Sequence, residues 1–184
     1  MEVSLPKMDL PLARTGGEHM KEVIMTLESI DKAVRVLEDI AAIENMHREY
    51  VFLLNGKNWD LLLDCFDHDA RLEIGPHKVQ KGKEEIARFF KDGIAKAPQS
   101  SRQLVDQPVI TINGDTATGY WVSYRFFDTS SKLGSIKQLV KWEQGRYDCE
   151  YVKEEDGRWK FSYLKWTLLW PDPEWFTQMS TVLE

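Results

Sequence analysis

Residues 18–54 contain no proline or glycine, and apolar side chains return at helical spacing through Val36, Ile40, Ile43, Met46, Tyr50 and Leu54. That periodicity predicts one long helix or two consecutive ones. Asn55-Gly56-Lys57-Asn58 then reads as a turn whose last residue caps a second helix. Trp59, Leu62, Leu63 and Phe66 form its buried stripe, and Asp67-His68-Asp69 end it. The period changes to two in Ala70-Arg71-Leu72-Glu73-Ile74, the alternation of a strand with one buried face, before Gly75-Pro76 turns the chain. A third helix is expected over residues 83–96, burying Ile86, Phe89, Phe90 and Ile94.

From Leu104 onward the pattern is that of strands. Residues 104–112 and 116–127 flank Asn113-Gly114-Asp115, and residues 136–154 and 158–169 flank Glu155-Asp156-Gly157. Both connections carry residues that tolerate the positive φ of tight hairpins. Helices followed by strands indicate an α+β fold with an antiparallel sheet, and no glycine-rich phosphate loop is present. The first 17 residues hold two prolines and a Gly-Gly pair without periodicity, so they read as a flexible arm. Pro171 and Pro173 stop the last strand and leave residues 171–184 as a tail carrying Trp175, Phe176 and Met179, a cap for a pocket or an oligomer interface. Residues 18–170 form the expected single domain.

A length of 184 residues with 42% hydrophobic content is enough for one domain with a substantial core. The net charge of −6 comes from scattered charges without a basic stripe, which argues against nucleic acid as a partner. No run reaches the roughly 18 apolar residues of a membrane span, and the N-terminus lacks the apolar stretch of a signal peptide, so a cytoplasmic chain without membrane contact is expected. Cys65 and Cys149 are too few for a disulfide framework and read as reduced, structural residues. No C-x-x-C or H-x-x-x-H spacing occurs, so neither a metal nor an organic cofactor is expected.

Several side chains are candidates for chemistry. Tyr50 lies on the apolar side of its helix, either as a donor to a ligand oxygen or as a core tyrosine. His47 precedes it by three positions on the same face and is the one histidine placed to act as a base there, unless it is a half-exposed helix residue. His68 and His77 fall in expected turns and read as surface residues, and His19 lies near the N-terminus. Asp106, in Leu104-Val105-Asp106-Gln107-Pro108, is either an outward carboxylate or, buried beside Tyr50, a base with a raised pKa. Tyr147, Cys149 and Tyr151 alternate along one strand and Trp159, Phe161 and Tyr163 along the next, as walls of a cavity or as plain core.

Further local marks recur along the chain. They are Ala42-Ile43 leading to Tyr50, Asn58-Trp59-Asp60, Cys65-Phe66-Asp67-His68-Asp69-Ala70 and Lys81-Gly82-Lys83-Glu84-Glu85-Ile86. Gly114-Asp115-Thr116-Ala117, Gly145-Arg146-Tyr147-Asp148 and Asp156-Gly157-Arg158-Trp159-Lys160 follow. In this order, over residues 37–170, they resemble the SnoaL-like branch of the nuclear transport factor 2-like superfamily, which includes scytalone dehydratase, bile acid 7α-dehydratase and polyketide cyclases. The resemblance implies a cone-shaped α+β barrel, with three or four N-terminal helices packed on a curved antiparallel sheet. The pocket it implies holds a small apolar, aromatic or steroid-like molecule.

The resemblance also implies a tyrosine on the first core helix, an aspartate five residues later and a histidine on the strand after the third helix. Here those positions hold Tyr50, Asn55 and Gln103, and neither amide exchanges a proton near neutral pH. Asn55 is either a left-handed helix cap before Gly56 or a pocket residue, and Gln103 points either inward or to solvent. Three functions are therefore expected in turn. The first is a cofactor-independent lyase or isomerase of the dehydratase or cyclase type, using Tyr50 with His47 or Asp106. The second is a non-catalytic binding protein contacting its ligand through Asn55, Gln103, Tyr147 and Trp59. The third is a structural subunit similar to the small subunit of ring-hydroxylating dioxygenases, for which the aromatics Trp170, Trp175 and Phe176 speak. Superfamily relatives pair through the outer face of their sheet, so a homodimer or homotrimer is expected.

Overall fold

The computed structural model describes residues 16–75, 77, 79–96, 101–128 and 140–170. Residues 1–15 of the arm expected over residues 1–17, the tail from residue 171 and the expected strand start at residues 136–139 lie outside the described residues, while Gly16 and Gly17 of that arm are helical. The chain divides into two compact units, Met1–Leu37 and Glu38–Glu184.

The described part of the first unit is helical. It belongs to α1, a single helix over Gly16–Gly56 that takes in the Gly16-Gly17 pair. Met20, Ile24, Leu27, Ile30, Val34 and Leu37 recur every three or four residues and are all exposed.

The second unit contains everything else. Here α1 buries Ile43, His47, Tyr50, Val51 and Leu53. The helix stops in a two-bond cap: Asn58 N–H donates to the Leu53 carbonyl at 2.9 Å and Lys57 N–H to that of Leu54 at 3.2 Å. Lys57 adopts the left-handed conformation this cap requires, with φ of 56°, so the expected left-handed cap at Asn55 moves two residues on. Helix α2 covers Trp59–Asp64, and Asn58 occupies its N-cap position without a side-chain capping bond.

Strand β1 runs over Phe66–Ile74, so residues 67–69 extend a strand instead of ending a helix. The pairing of Phe66 with Phe161 draws them into the sheet. Strand β2 (Gln80–Lys81) leads into α3 (Gly82–Arg88). The expected third helix then changes its winding, through a π turn over Phe89–Gly93 and a 3₁₀ turn over Ile94–Lys96. Four long strands follow: β3 (Ser101–Asn113), β4 (Thr116–Asp128), β5 (Val140–Lys153) and β6 (Trp159–Trp170).

The six strands form one curved sheet in the order β2-β1-β6-β5-β4-β3. The class is α+β, as expected, but the sheet is mixed: β1 and β6 run parallel while the other neighbours are antiparallel. Of the register shifts in the sheet, two decide which side chains near the site face inward. In β3, Asp106 lies opposite Val122 and Val109 opposite Tyr120, which leaves Gln107, with φ of 53°, and Pro108 against one partner residue. The inward positions therefore change from Gln103 and Val105 to Ile110 and Ile112. In β6, Phe161 pairs with Tyr151 and Tyr163 with Glu150, so Ser162 is the extra residue. The expected stripe of Trp159, Phe161 and Tyr163 breaks there. Tyr163 turns outward, and its hydroxyl donates to Glu73 at 2.8 Å.

Between the helices and the inner sheet face lie Phe66, Leu72, Ile86, Trp121, Tyr151, Phe161 and Leu164, each nearly inaccessible. Cys65 and Cys149 are free and buried, and burial pushes the Cys65 thiol up to about 12. Among the described residues no helix is long and apolar enough to cross a membrane.

Candidate functional site

A cavity of about 270 Å³ lies between the end of α1, the turns after α3 and the inner faces of β3, β4 and β5. Its apolar wall comes from Leu54, Trp59, Ile74, Phe89, Phe90 and Trp166. Consecutive residues of an α-helix diverge by about 100°, yet both Phe89 and Phe90 reach the cavity, because the π turn widens the helix where they sit. Phe90 stacks on Trp59 with ring centroids 5.7 Å apart. The Trp166 indole crosses β5 at Gly145, where any Cβ would collide with it, and its N–H donates to Ser123 Oγ at 2.9 Å.

Asn55 closes the junction between α1 and β3. Its Nδ2 donates to the Gln103 carbonyl at 2.8 Å, and its Oδ1 accepts the Gln103 backbone N–H at 2.7 Å. Both ends of the carboxamide are used, so Asn55 lines the cavity while acting as a clamp on the main chain. A carboxylate would satisfy only half of that arrangement, since it accepts and does not donate.

The clamp fixes Gln103 with its side chain inward and buried. Gln103 Oε1 accepts the Tyr147 hydroxyl at 2.8 Å, and the Tyr50 ring stands edge-on to that of Tyr147 with centroids 6.3 Å apart. Burial raises the pKa of both phenols well above the usual tyrosine range, so both stay protonated at neutral pH.

Arg125 stands directly across from Gln103 on β4, and Glu143 directly across from Arg125 on β5. Arg125 lines the cavity, ion-pairs with Glu143 and lies over the Trp166 ring at 4.5 Å. Lys57 and Ser101 complete the polar lining. Among the described residues no carboxylate or imidazole lines this cavity. Nor are three or more His, Cys, Asp or Glu side chains gathered among them as a metal centre would need.

The structure brings together Tyr50, Asn55, Trp59, Gln103 and Tyr147, all lining the cavity. It does not bring His47 or Asp106 there. His47 lies behind the two phenols in an aromatic cage, with ring centroids 4.3 Å from Trp121, 5.2 Å from Tyr147 and 6.0 Å from Tyr50. Its Nδ1 meets the Tyr151 hydroxyl at 3.1 Å, and that hydroxyl also accepts Trp121 Nε1–H at 2.9 Å. His47 Nε2 is buried with no partner among the described residues, and burial lowers the imidazole pKa to about 3. Asp106 is exposed, and its Oδ1 accepts the Gln107 backbone N–H at 2.8 Å. His68 and His77 are exposed.

Arg125, Lys57 and Trp166 were not among the expected site residues. Arg125 carried a usable signal. It continues the odd-numbered series Ala117, Gly119, Trp121 and Ser123, which puts a charge on the inward face of β4. Lys57 carried none, because its place follows from a cap that the sequence assigns to its neighbour.

Comparison with known proteins accords with this geometry. The SnoaL-like domain family matches residues 35–165. An NTF2-like protein with a cystatin-like fold from Novosphingobium aromaticivorans is 20% identical and superposes with a TM-score of 0.64, covering 80% of this chain and 93% of its own. A protein described as a "putative scytalone dehydratase" from the same organism is 19% identical, with a TM-score of 0.61 over 72% of this chain and 85% of its own. A third from that organism, described as a "putative aromatic ring hydroxylase", is 24% identical, with a TM-score of 0.62 over 73% of this chain and 92% of its own. Likeness at these identities is a likeness of fold.

Proposed function

The chain belongs to the SnoaL-like domain family, and from that premise we propose that it holds a small, largely apolar molecule bearing a hydrogen-bond-accepting oxygen, without acid–base catalysis. One observation carries this: at the two positions where the resemblance implies an acid–base pair stand Asn55, whose amide is spent on main chain, and Gln103, an amide in the cavity. General acid–base catalysis needs a group that titrates near the working pH. The described lining offers two buried phenols with raised pKa, two amides and two cations instead. Such a set orients and polarises a ligand oxygen.

The test is a titration with uncharged 2-naphthamide, read by the fluorescence of Trp59 and Trp166 and by product analysis. Saturable one-to-one quenching without turnover is the expected result, with binding weakened on the order of tenfold in Gln103→Leu. A dehydratase- or isomerase-type reaction stands second, favoured by the two phenols, Tyr50 and Tyr147, side by side at the cavity wall. Turnover abolished by Tyr50→Phe would put it first.

Self-association belongs to the same proposal. Leu104, Val109, Tyr120, Trp142 and Trp170 are exposed on the outward side of the sheet, and Trp142 stacks on Trp170 at 4.4 Å. A dimer or trimer by light scattering is the expected result, and it would weigh against a role as a subunit that needs another chain.

A further inference from the structure

We infer that the ligand of this cavity is an organic anion, a one- or two-ring carboxylate whose charged end meets Gln103, Arg125 and Lys57; the inference rests on the cavity-binding proposal above. Four observations converge on it. First, Gln103 and Arg125 are direct cross-strand neighbours facing the cavity, which brings their Cβ atoms to about 5 Å. The Tyr147 hydroxyl holds Gln103 Oε1, which leaves Nε2 as the end of the amide without a partner among the described residues and facing the cavity. Arg125 gives Nε and Nη2 to one oxygen of Glu143, so its Nη1 hydrogens have no partner among the described residues. An amide N–H and a guanidinium N–H side by side make a two-pronged donor suited to a carboxylate.

Second, the lining is cationic in a protein whose net charge is −6. Arg125 and Lys57 both line the cavity. Glu143 answers Arg125 from behind, whereas Lys57 has no carboxylate within ion-pair distance among the described residues. Third, Lys57 keeps φ of 56° at a helix-cap position that ordinarily favours glycine. The strained residue is a cation at the cavity, and strain of this kind gathers at functional sites. Fourth, 270 Å³ lies just below the range of about 300–1,000 Å³ that holds drug-sized ligands. That limits the apolar body to one or two rings against Trp59, Phe90 and Trp166.

The experiment compares 2-naphthoate with its neutral isostere 2-naphthamide on wild-type protein and on Gln103→Glu and Lys57→Met. Gln103→Glu keeps an acceptor for the Tyr147 hydroxyl while replacing the free N–H donor by negative charge. Lys57→Met removes the cation from an exposed turn. Urea midpoints check that each variant is folded. The expected result is naphthoate binding on the order of tenfold tighter than naphthamide at low salt, weakening as salt is added. Gln103→Glu should lose naphthoate selectively, and Lys57→Met should weaken naphthoate about threefold or more while sparing naphthamide. Equal affinities for the two probes, indifferent to both substitutions, would overturn the anion inference and leave the cavity-binding proposal standing. Failure of both probes to bind wild-type protein would overturn the two together.

Discussion

Asn55 shows how one atom decides what a site can do. Replacing its Nδ2 by oxygen, as in Asn55→Asp, sets a carboxylate against the Gln103 carbonyl and removes a part-buried hydrogen bond. A loss of about 1–3 kcal/mol at pH 7 is expected from urea unfolding. Once protonated, the introduced carboxyl would again donate, so its folded pKa lies above its unfolded one. The penalty is then full above the folded pKa and recedes as the pH falls through it, an upturn relative to wild type that melts between pH 7 and 4 would reveal. His47 works with the opposite sign. Its folded pKa of about 3 lies below the ordinary 6.5, so its stabilising contribution is complete above 6.5 and is lost as the pH falls towards 3. Wild-type stability should decline on the order of 1.4 kcal/mol per pH unit across that window, and His47→Gln should flatten the slope. The sequence shows that Asn55 and Gln103 are unable to supply a base. It does not show the clamp, because Asn55 binds the main chain of a residue 48 positions away and leaves no mark in the side-chain pattern.

At the scale of elements, local irregularities carry the site. The helix-to-turn junction at Lys57 is strained, and Lys57→Gly should relieve it by about 0.5–1 kcal/mol, visible as a higher urea midpoint. On the anion proposal the same variant would bind naphthoate less well, a gain in stability set against function. Gly145 is the reverse case. Gly145→Ala forces the Trp166 indole aside and strains its bond to Ser123, which should cost about 1–3 kcal/mol and alter the fluorescence of the cavity wall. Periodicity made the helices and hairpins legible, down to Phe89, Phe90 and Ile94 on the third helix. The bulges at Gln107 and Ser162 were not legible, since each adds one residue and reverses the facing of the residues that follow it. That reversal is why Tyr163 left the expected aromatic stripe.

For the whole molecule, helix-then-strand order was enough to reach the α+β class. It was not enough to reach the mixed sheet, because the parallel contact of β1 with β6 joins segments far apart in sequence. The boundary of the folded core is testable. Its first buried residue is Ile43, and Asp39 is tied to the sheet by Lys153 Nζ at 2.7 Å and Trp159 Nε1 at 2.9 Å. Burial alone would raise the Asp39 pKa, yet these two donors bring it below the usual carboxylate range. A chain of residues 38–184 should therefore unfold in urea as cooperatively as the full protein, with an unfolding free energy within about 0.5 kcal/mol of it.

The Asn55 clamp has a bearing on self-templating as well. Strand β3 is the last in the sheet, and the N–H and C=O of Gln103 that Asn55 occupies are the groups on its open edge. A single side chain there behaves as a one-residue strand, terminating the ladder before another molecule extends it. Beyond it, Pro108 contributes no donor, and β2 at the opposite edge is two residues long. The clamp and the proline thus interrupt the β3 edge at two points along its 13 residues, where an added strand of a cross-β aggregate would find no continuous ladder.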